Sequence, residues 1–334
     1  MSELSKVVRD RFPGQKILII GDLVADQFLH GTISRVSREA PVFILNHDST
    51  DTRAGAAANA AVNVAALGAL PMLIGFLGTD TNGDLLIDTL RSAGVDISGI
   101  VRVAGAQTTT KVRVLAGQHY AARQQVIRID YENRSAISHN SRAELIENVT
   151  YAASDAAAII LSDYNYGVVG ADVFEIVRKV ATDQDIPLLV DSRFQLAEFA
   201  GATTATPNSD EVEQILGKDF TDHQCGELRE SLGLEALLIT RGNKGMQLFQ
   251  DGMELRSMEA VGATEPVDVT GAGDTVIAAY AVGLAAGLSF YDAASIANHA
   301  GGLVVMKKGT AFVTPAELID SINEHASTQL SSNA

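Results

Sequence analysis

The sequence predicts an α/β fold whose central sheet is mostly parallel and covered by helices on both faces. Short apolar runs alternate with helical patterns along the 334 residues, and each run ends in a polar or Gly-bearing loop. Hydrophobic residues are 46% of the chain, yet aromatics are only 5% and Trp is absent. Such a core is built from Ala, Val, Leu and Ile, as in layered α/β folds. The length suits one large domain with a small appendage, or two ordinary domains.

Taken in order, residues 16–20 read as the first strand, which ends in Gly21-Asp22. Residues 56–67 read as an Ala-rich helix and 71–77 as the next strand, with further strands at 157–161, 187–190 and 237–240. Helices are expected near 80–93, 141–152, 171–183, 208–216, 272–287 and 290–306. Two segments, 30–50 and 100–131, break this alternation. They carry β-branched and polar residues in turn, as in Thr109-Thr110-Lys111-Val112-Arg113-Val114, and are expected to pair into a small separate sheet, a lid. Residues 327–334 are polar and expected to form a disordered tail, leaving 1–326 as the folded unit.

The formal net charge of −16 repels nucleic acid and anionic membranes, and an anionic ligand would need a local patch of positive potential. Cys225 is the single cysteine, so an intramolecular disulfide and a multi-Cys metal site are excluded. Residues 1–12 mix charges with apolar residues, unlike a signal peptide, and no stretch has the apolar length of a membrane span. A cytoplasmic protein is expected.

The most informative stretch is Asp268-Val269-Thr270-Gly271-Ala272-Gly273-Asp274. Val276, Tyr280 and Leu284 follow at spacings of four, as do Ile277 and Ala281, so a buried helix begins here. Unpaired N–H groups and the positive end of the dipole make such a start an anion site, and Gly and Ala let a phosphate approach the backbone. Asp274 lies in that first turn. A carboxylate there can take the proton of an attacking hydroxyl while the amides stabilise a transferring phosphoryl group. A bare G-x-G-D is equally a small-residue turn whose Asp serves the helix dipole; the longer run is more specific.

This run resembles the C-terminal signature of the ribokinase (PfkB) family of sugar kinases, and further pieces follow in that family's order. Gly21-Asp22-Leu23-Val24-Ala25-Asp26 resembles its first strand and sugar-binding Asp, here Asp26. Arg53-Ala54-Gly55-Ala56-Ala57-Ala58-Asn59 resembles its Gly-rich sugar-binding segment, which implicates Gly55 and Asn59, although a buried helix start reads the same way. Thr206-Pro207-Asn208-Ser209-Asp210-Glu211 resembles the N-x-x-E element, in which Asn208 and Glu211 would organise Mg²⁺ through its waters near the phosphates. Asn is also a common N-cap. Thr240-Arg241-Gly242-Asn243-Lys244-Gly245 resembles the nucleotide-side turn, implicating Thr240, Gly242 and Gly245; a plain hairpin between Leu238 and Leu248 is compatible with it. Asn298 falls in the helix that lines the adenine pocket in relatives, and Asp163 is placed on the substrate side. The resemblance implies a three-layer ribokinase-like fold, ATP and Mg²⁺, and a homodimer joined through the lid. It leaves a monovalent cation open.

A narrower similarity is to the heptose-7-phosphate kinases that serve ADP-heptose synthesis. It rests on residues 31–42, 56–68, 110–115 and 127–132. It implies phosphorylation of a sugar or sugar phosphate, heptose 7-phosphate first among them, with Asp274 as base and the amides of Gly271, Ala272 and Gly273 as anion hole. Lys111, Arg113 and Arg128 would clamp the acceptor's phosphate. Arg35, Arg53 and Arg193 bear on the same question, and ordinary surface ion pairing is the plainer account of any one of the six. Several such kinases carry a fused nucleotidyltransferase; none is expected here, the 334 residues being short for one and holding no H-x-G-H element. It also departs from their pattern. Tyr166 stands where they usually have Lys, Asp191-Ser192-Arg193 replaces D-P-K, Ala56 replaces the second Gly of a G-G pair, and the loop at 116–124 is longer. A kinase of another sugar or a nucleoside, and a non-catalytic sugar or nucleotide sensor, remain alternatives.

Overall fold

The computed structural model describes residues 2–118, 123–132, 137–262 and 265–332, with side chains through residue 327. A nine-stranded sheet forms its centre, in the order β13 (Arg256–Met258), β12 (Met246–Gln250), β11 (Ala236–Thr240), β10 (Thr204–Ala205), β9 (Leu188–Ser192), β8 (Ala158–Asp163), β1 (Lys16–Gly21), β4 (Leu70–Gly78) and β5 (Ile100–Val103). Every pairing from β11 to β5 is parallel, and β12 pairs antiparallel with both neighbours. The alternation of side chains along β1 divides it between two cores: Ile17 and Ile19 enter one, Leu18 and Ile20 the other. This is why the strand reads as one continuous apolar run.

The first core lies under α2 (Ala57–Ala66), α8 (Ala272–Ala285) and α9 (Phe290–Val304), with α1 (Glu3–Arg11), α3 (Thr81–Ser92) and α10 (Pro315–Ser332) around them. The second lies under α4 (His139–Ala153), α5 (Ala171–Gln184), α6 (Ser209–Leu216) and α7 (Asp222–Ser231). Helix α8 is buried at every position from Asp274 to Leu284 because it is wedged between the sheet, α2 and α9. The alanines of α2 let the two backbones approach closely.

A second, four-stranded sheet has the order β3 (Phe43–Ala56), β2 (Leu23–Val36), β6 (Thr110–Gly117), β7 (Gln124–Tyr131). The chain passes from β1 into β2 through Asp22 alone and from β3 directly into α2. The inner end of this sheet therefore stands over the carboxyl ends of the main strands, where ligands bind in open α/β sheets.

Several boundaries differ from the expectations. The small sheet draws on 23–56, more than the 30–50 expected, because β2 and β3 pair along fourteen residues each. It draws on 110–131 but not 100–103, since β5 pairs with β4 in the main sheet and buries Val101 there. Ala56 closes β3, and the helix begins at Ala57. Helices α1, α7 and α10 were not expected at all; α1 and α7 are short and polar. Helix α10 continues through 327–332, into the stretch expected to be disordered. Residues 119–122 of the 116–124 loop lie outside the described residues.

Candidate active site

The site is built around the start of α8. Gly271 is its N-cap at φ 77°, a conformation open to Gly, and a Cβ there would lie 2.4 Å from Asn59 Nδ2. The Ala272 amide turns back to Val269 O at 3.2 Å, and Thr275 is the first residue of the helix whose N–H donates back four residues, to Gly271 O at 3.1 Å. Among the described residues the amides of Gly271, Gly273 and Asp274 find no acceptor, so the turn presents them to a ligand.

Asp274 is buried in this turn, with both carboxylate oxygens held. Asn59 donates to Oδ2 at 2.7 Å and the Tyr164 hydroxyl donates to Oδ1 at 3.0 Å. Burial pushes its pKa from 3.8 to about 6, against the opposing effect of those two donors. Behind Asn59, Asn63 Nδ2 donates to Asn59 O and Oδ1 at 3.0 and 3.2 Å, and the Thr275 hydroxyl meets Asn63 Oδ1 at 2.9 Å. The amide of Asn59 is thus fixed with its donor toward Asp274.

Tyr164 is placed by a buried carboxylate. Asp22 accepts the backbone N–H groups of Tyr164, Tyr166 and Val168 at 2.8, 3.0 and 3.2 Å, which pins the loop after β8. Burial raises the pKa of Asp22 even so.

On the side of the second sheet, Asp26 is buried and bound to Arg113 Nη1 at 2.5 Å. Burial raises its pKa, and the nearby Arg113, Lys111 and Arg128 pull it down. Gly55 is opposite Val24, and a Cβ there would approach Asp26 Oδ2 to 2.8 Å. Lys111 and Arg113 do share one face of β6: the Lys111 ammonium stands 5.6 Å and 6.0 Å over the rings of Tyr164 and Tyr166, and Arg113 lies over Phe28. Burial lowers the pKa of Lys111. Arg128 is directly across from Arg113 but is bound twice by Asp130, at 2.9 and 3.0 Å, and is half exposed. Arg53 donates to the carbonyls of Lys308 and Thr310, both at 3.1 Å, and closes that loop over Gly271. Arg35 is exposed near the end of β2.

On the other side of Asp274 opens a cavity of about 570 Å³. Asn208, Glu211, Thr240, Gly242, Gly245 and Asn298 all line it, together with Gly271, Ala272, Gly273 and Asp274. Thr240 to Gly245 is the turn of the β11–β12 hairpin, with Leu238 opposite Leu248, so the hairpin and the cavity wall are one feature. Asn298 donates to Glu259 O at 2.7 Å. Asn208 and Glu211 form a reciprocal capping box on α6, each side chain accepting the other's backbone N–H at 3.0 and 2.8 Å. Burial raises the pKa of Glu211, and burial raises that of Asp191 well above the usual carboxylate range, with Glu211 and Asp274 adding to it. Asp163 is not brought to the second sheet. It borders the cavity, and its oxygens accept from Ser192 Oγ and the Asn165 amide at 2.7 and 2.9 Å.

Sequence reasoning missed Tyr164, Asp191, Asp22, Asn63 and Thr275. Their only signal was position: Asp22, Tyr164 and Asp191 sit at strand ends, and Thr275 follows the Asp274 motif.

A buried carboxylate at a helix start thus stands between a cavity with unbonded amides and a second sheet carrying an Asp, on a ribokinase-like fold. Solved structures share that fold. An Arabidopsis thaliana ribokinase complexed with ribose and ATP superposes with a TM-score of 0.70 at 21% identity, covering 92% of this chain and 98% of that one. Phosphofructokinase-2 from Escherichia coli, in complex with substrates and products, gives 0.74 at 17% identity, covering 92% and 97%. Residues 15–317 match the pfkB family carbohydrate kinases. The chain belongs to that family. It is 38% identical to the bifunctional protein HldE of Trichlorobacter lovleyi over 317 residues, 93% of this chain and 63% of that protein. Identity to HldE of Halorhodospira halophila is 40% over 316 residues, 92% of this chain and 63% of that protein. The chain thus spans slightly under two thirds of these relatives' length. Among the described residues no helix is long and apolar enough to cross a membrane.

Proposed function

We propose that the chain transfers the γ-phosphoryl group of ATP to a hydroxyl of a sugar phosphate, with heptose 7-phosphate the first acceptor to test and its 1-hydroxyl the nucleophile. The observation that carries this reading is Asp274, a buried carboxylate with a pKa of about 6 and both oxygens oriented, standing between the cavity and the second sheet. Asp274 takes the hydroxyl proton, and the amides of Gly271 and Gly273 face the transferring group. Asp26 and Gly55 would hold the acceptor's hydroxyls, with the second sheet as a lid over it. The resemblance to HldE supports the heptose.

The donor set suits Mg²⁺. Asp191 and Glu211 line the cavity; burial first, and then neighbouring carboxylates, raise the pKa of each, against the pull of Arg193. No group of three or more carboxylate, His or Cys ligands is gathered among the described residues, which fits an ion that keeps several waters. When bound, Mg²⁺ would neutralise phosphate charge there.

The test is ATP turnover measured against a panel of phosphorylated and free sugars and nucleosides. A strict preference for a free sugar or nucleoside would replace the heptose reading, and no turnover with any acceptor would favour a sensor. We also read the protein as a cytoplasmic homodimer. Exposed Phe43, Ile127, Ile129 and Tyr131 on the second sheet, with Val42 just before β3, supply an apolar surface for a second copy. Light scattering that gives a monomer at working concentration would count against it.

A further inference from the structure

The cavity beside Asp274 is strongly acidic. Asp163, Asp191, Asp210, Glu211 and Asp274 all line it, and among the described lining residues Arg193 is the sole cation. A polyphosphate entering such a cavity meets five carboxylates and one guanidinium. Arg193 follows β9, and its amide is held by Asp163 O at 3.1 Å. Its guanidinium carbon lies 5.3 Å from the centroid of the Tyr164 ring, whose hydroxyl is on Asp274. Among the described residues that guanidinium makes no ion pair and no hydrogen bond, although acidic side chains surround the cavity. Its donors are free for a ligand, and stacking on Tyr164 limits where they point.

We propose that Arg193 is a catalytic residue that binds the γ-phosphoryl group of the nucleotide during transfer. This rests on the kinase reading above. In the step, the acceptor oxygen forms a bond to the γ-phosphorus as the bond from that phosphorus to the β–γ bridging oxygen breaks. The electron pair stays on the nucleoside diphosphate, and the hydroxyl proton goes to Asp274. The guanidinium donates to the non-bridging oxygens of the moving group, where charge is spread in the transition state. A residue that recognises this group discriminates nucleoside triphosphate from diphosphate.

The experiment uses Arg193→Gln and Arg193→Lys. Arg193 is exposed and, among the described residues, its guanidinium makes no hydrogen bond or ion pair; the contact at stake is the stacking on Tyr164, which Arg193→Lys can keep in part. Binding of Mg²⁺–AMP-PNP and of Mg²⁺–ADP is measured by calorimetry, beside steady-state kinetics. Loss of a charge-assisted hydrogen bond predicts that Arg193→Gln weakens AMP-PNP binding roughly 10- to 100-fold. ADP binding should stay within about twofold, and kcat should fall with the acceptor KM unchanged. Arg193→Lys should recover part of each. Equal losses for both nucleotides, or none, overturn the assignment. So does a rise in KM for a phosphorylated acceptor at constant kcat, which would give Arg193 to the acceptor instead. Wild-type protein that binds neither nucleotide would refute the kinase reading itself; wild type that binds both equally would refute only the role of Arg193.

Discussion

Replacing Asp274 by Asn separates the two consequences of burying a carboxylate. Asn preserves the shape: its carbonyl can accept from Asn59 and its amide can donate to the Tyr164 oxygen. It removes the basicity, and a positioned base contributes about 10² to 10⁴ in rate, so kcat should fall by that factor. The same carboxylate costs the fold stability. Its pKa is raised from 3.8 to about 6, and at about 1.36 kcal/mol per pH unit the ionised form is disfavoured by at most about 3 kcal/mol. The sign follows from a raised pKa. The stabilising contribution is complete below pH 3.8 and is lost as the pH rises through about 6. At pH 8 the variant should therefore be more stable than wild type, and near pH 4 the difference should shrink. Urea unfolding at the two pH values, with kcat/KM against pH, checks both parts. Wild-type kcat/KM should rise with pH to a plateau above about 6. A variant with near-wild-type kcat, or one destabilised at pH 8, would falsify the assignment.

Four other substitutions probe separate parts of the structure. Lys111→Ala should weaken binding of a phosphorylated acceptor roughly 10- to 100-fold, while Arg128→Ala should do little, because Asp130 already neutralises Arg128; equal losses on phosphorylated and free sugars would remove the clamp. Glu211→Gln keeps an oxygen for the capping box on Asn208 but loses the charge, so the Mg²⁺ concentration for half-maximal rate should rise. An unchanged Mg²⁺ profile would rule out its role. Ala56 sits at φ 54°, ψ −134°, which costs a non-Gly residue about 1–3 kcal/mol. Glycine costs about 0.5–1 kcal/mol in extra chain freedom, so Ala56→Gly should stabilise the protein by about 1 kcal/mol in urea unfolding; a destabilised variant would show that the strain is absent.

Legibility followed the range of the interactions. Helix α8 could be read because its anion-binding turn and the ladder Val276, Tyr280, Leu284 are contiguous in the chain. Strand β1 could be read because both faces are buried, leaving an unbroken apolar run. The inner end of β3, from Asp51 to Gly55, could not: it lies beyond the 30–50 segment expected to form the small sheet, and pairing with β2 makes it a strand. Tyr164 was invisible as a partner of Asp274 because 110 residues separate them, and the contact depends on Asp22 holding the intervening loop. The sequence could place Lys111 and Arg113 on one face, but not reveal that the parallel pairing of β2 with β6 brings Arg113 to Asp26.

That pairing changes what the basic residues can do. In a chain of net charge −16, a cation is available to a phosphate only where no carboxylate has claimed it. Arg113 is taken by Asp26 and Arg128 by Asp130, while Arg53 is spent on two carbonyls. Among the described residues Lys111 and Arg193 make no ion pair, and both lie against the ring of Tyr164. That ring carries the hydroxyl bound to Asp274, so the two cations are organised about Asp274 by one side chain. Lys111 comes from the second sheet and Arg193 from the rim of the cavity. On the proposed reading, such an arrangement would supply one positive charge to a phosphate on the acceptor and another to the phosphoryl group arriving from the nucleotide.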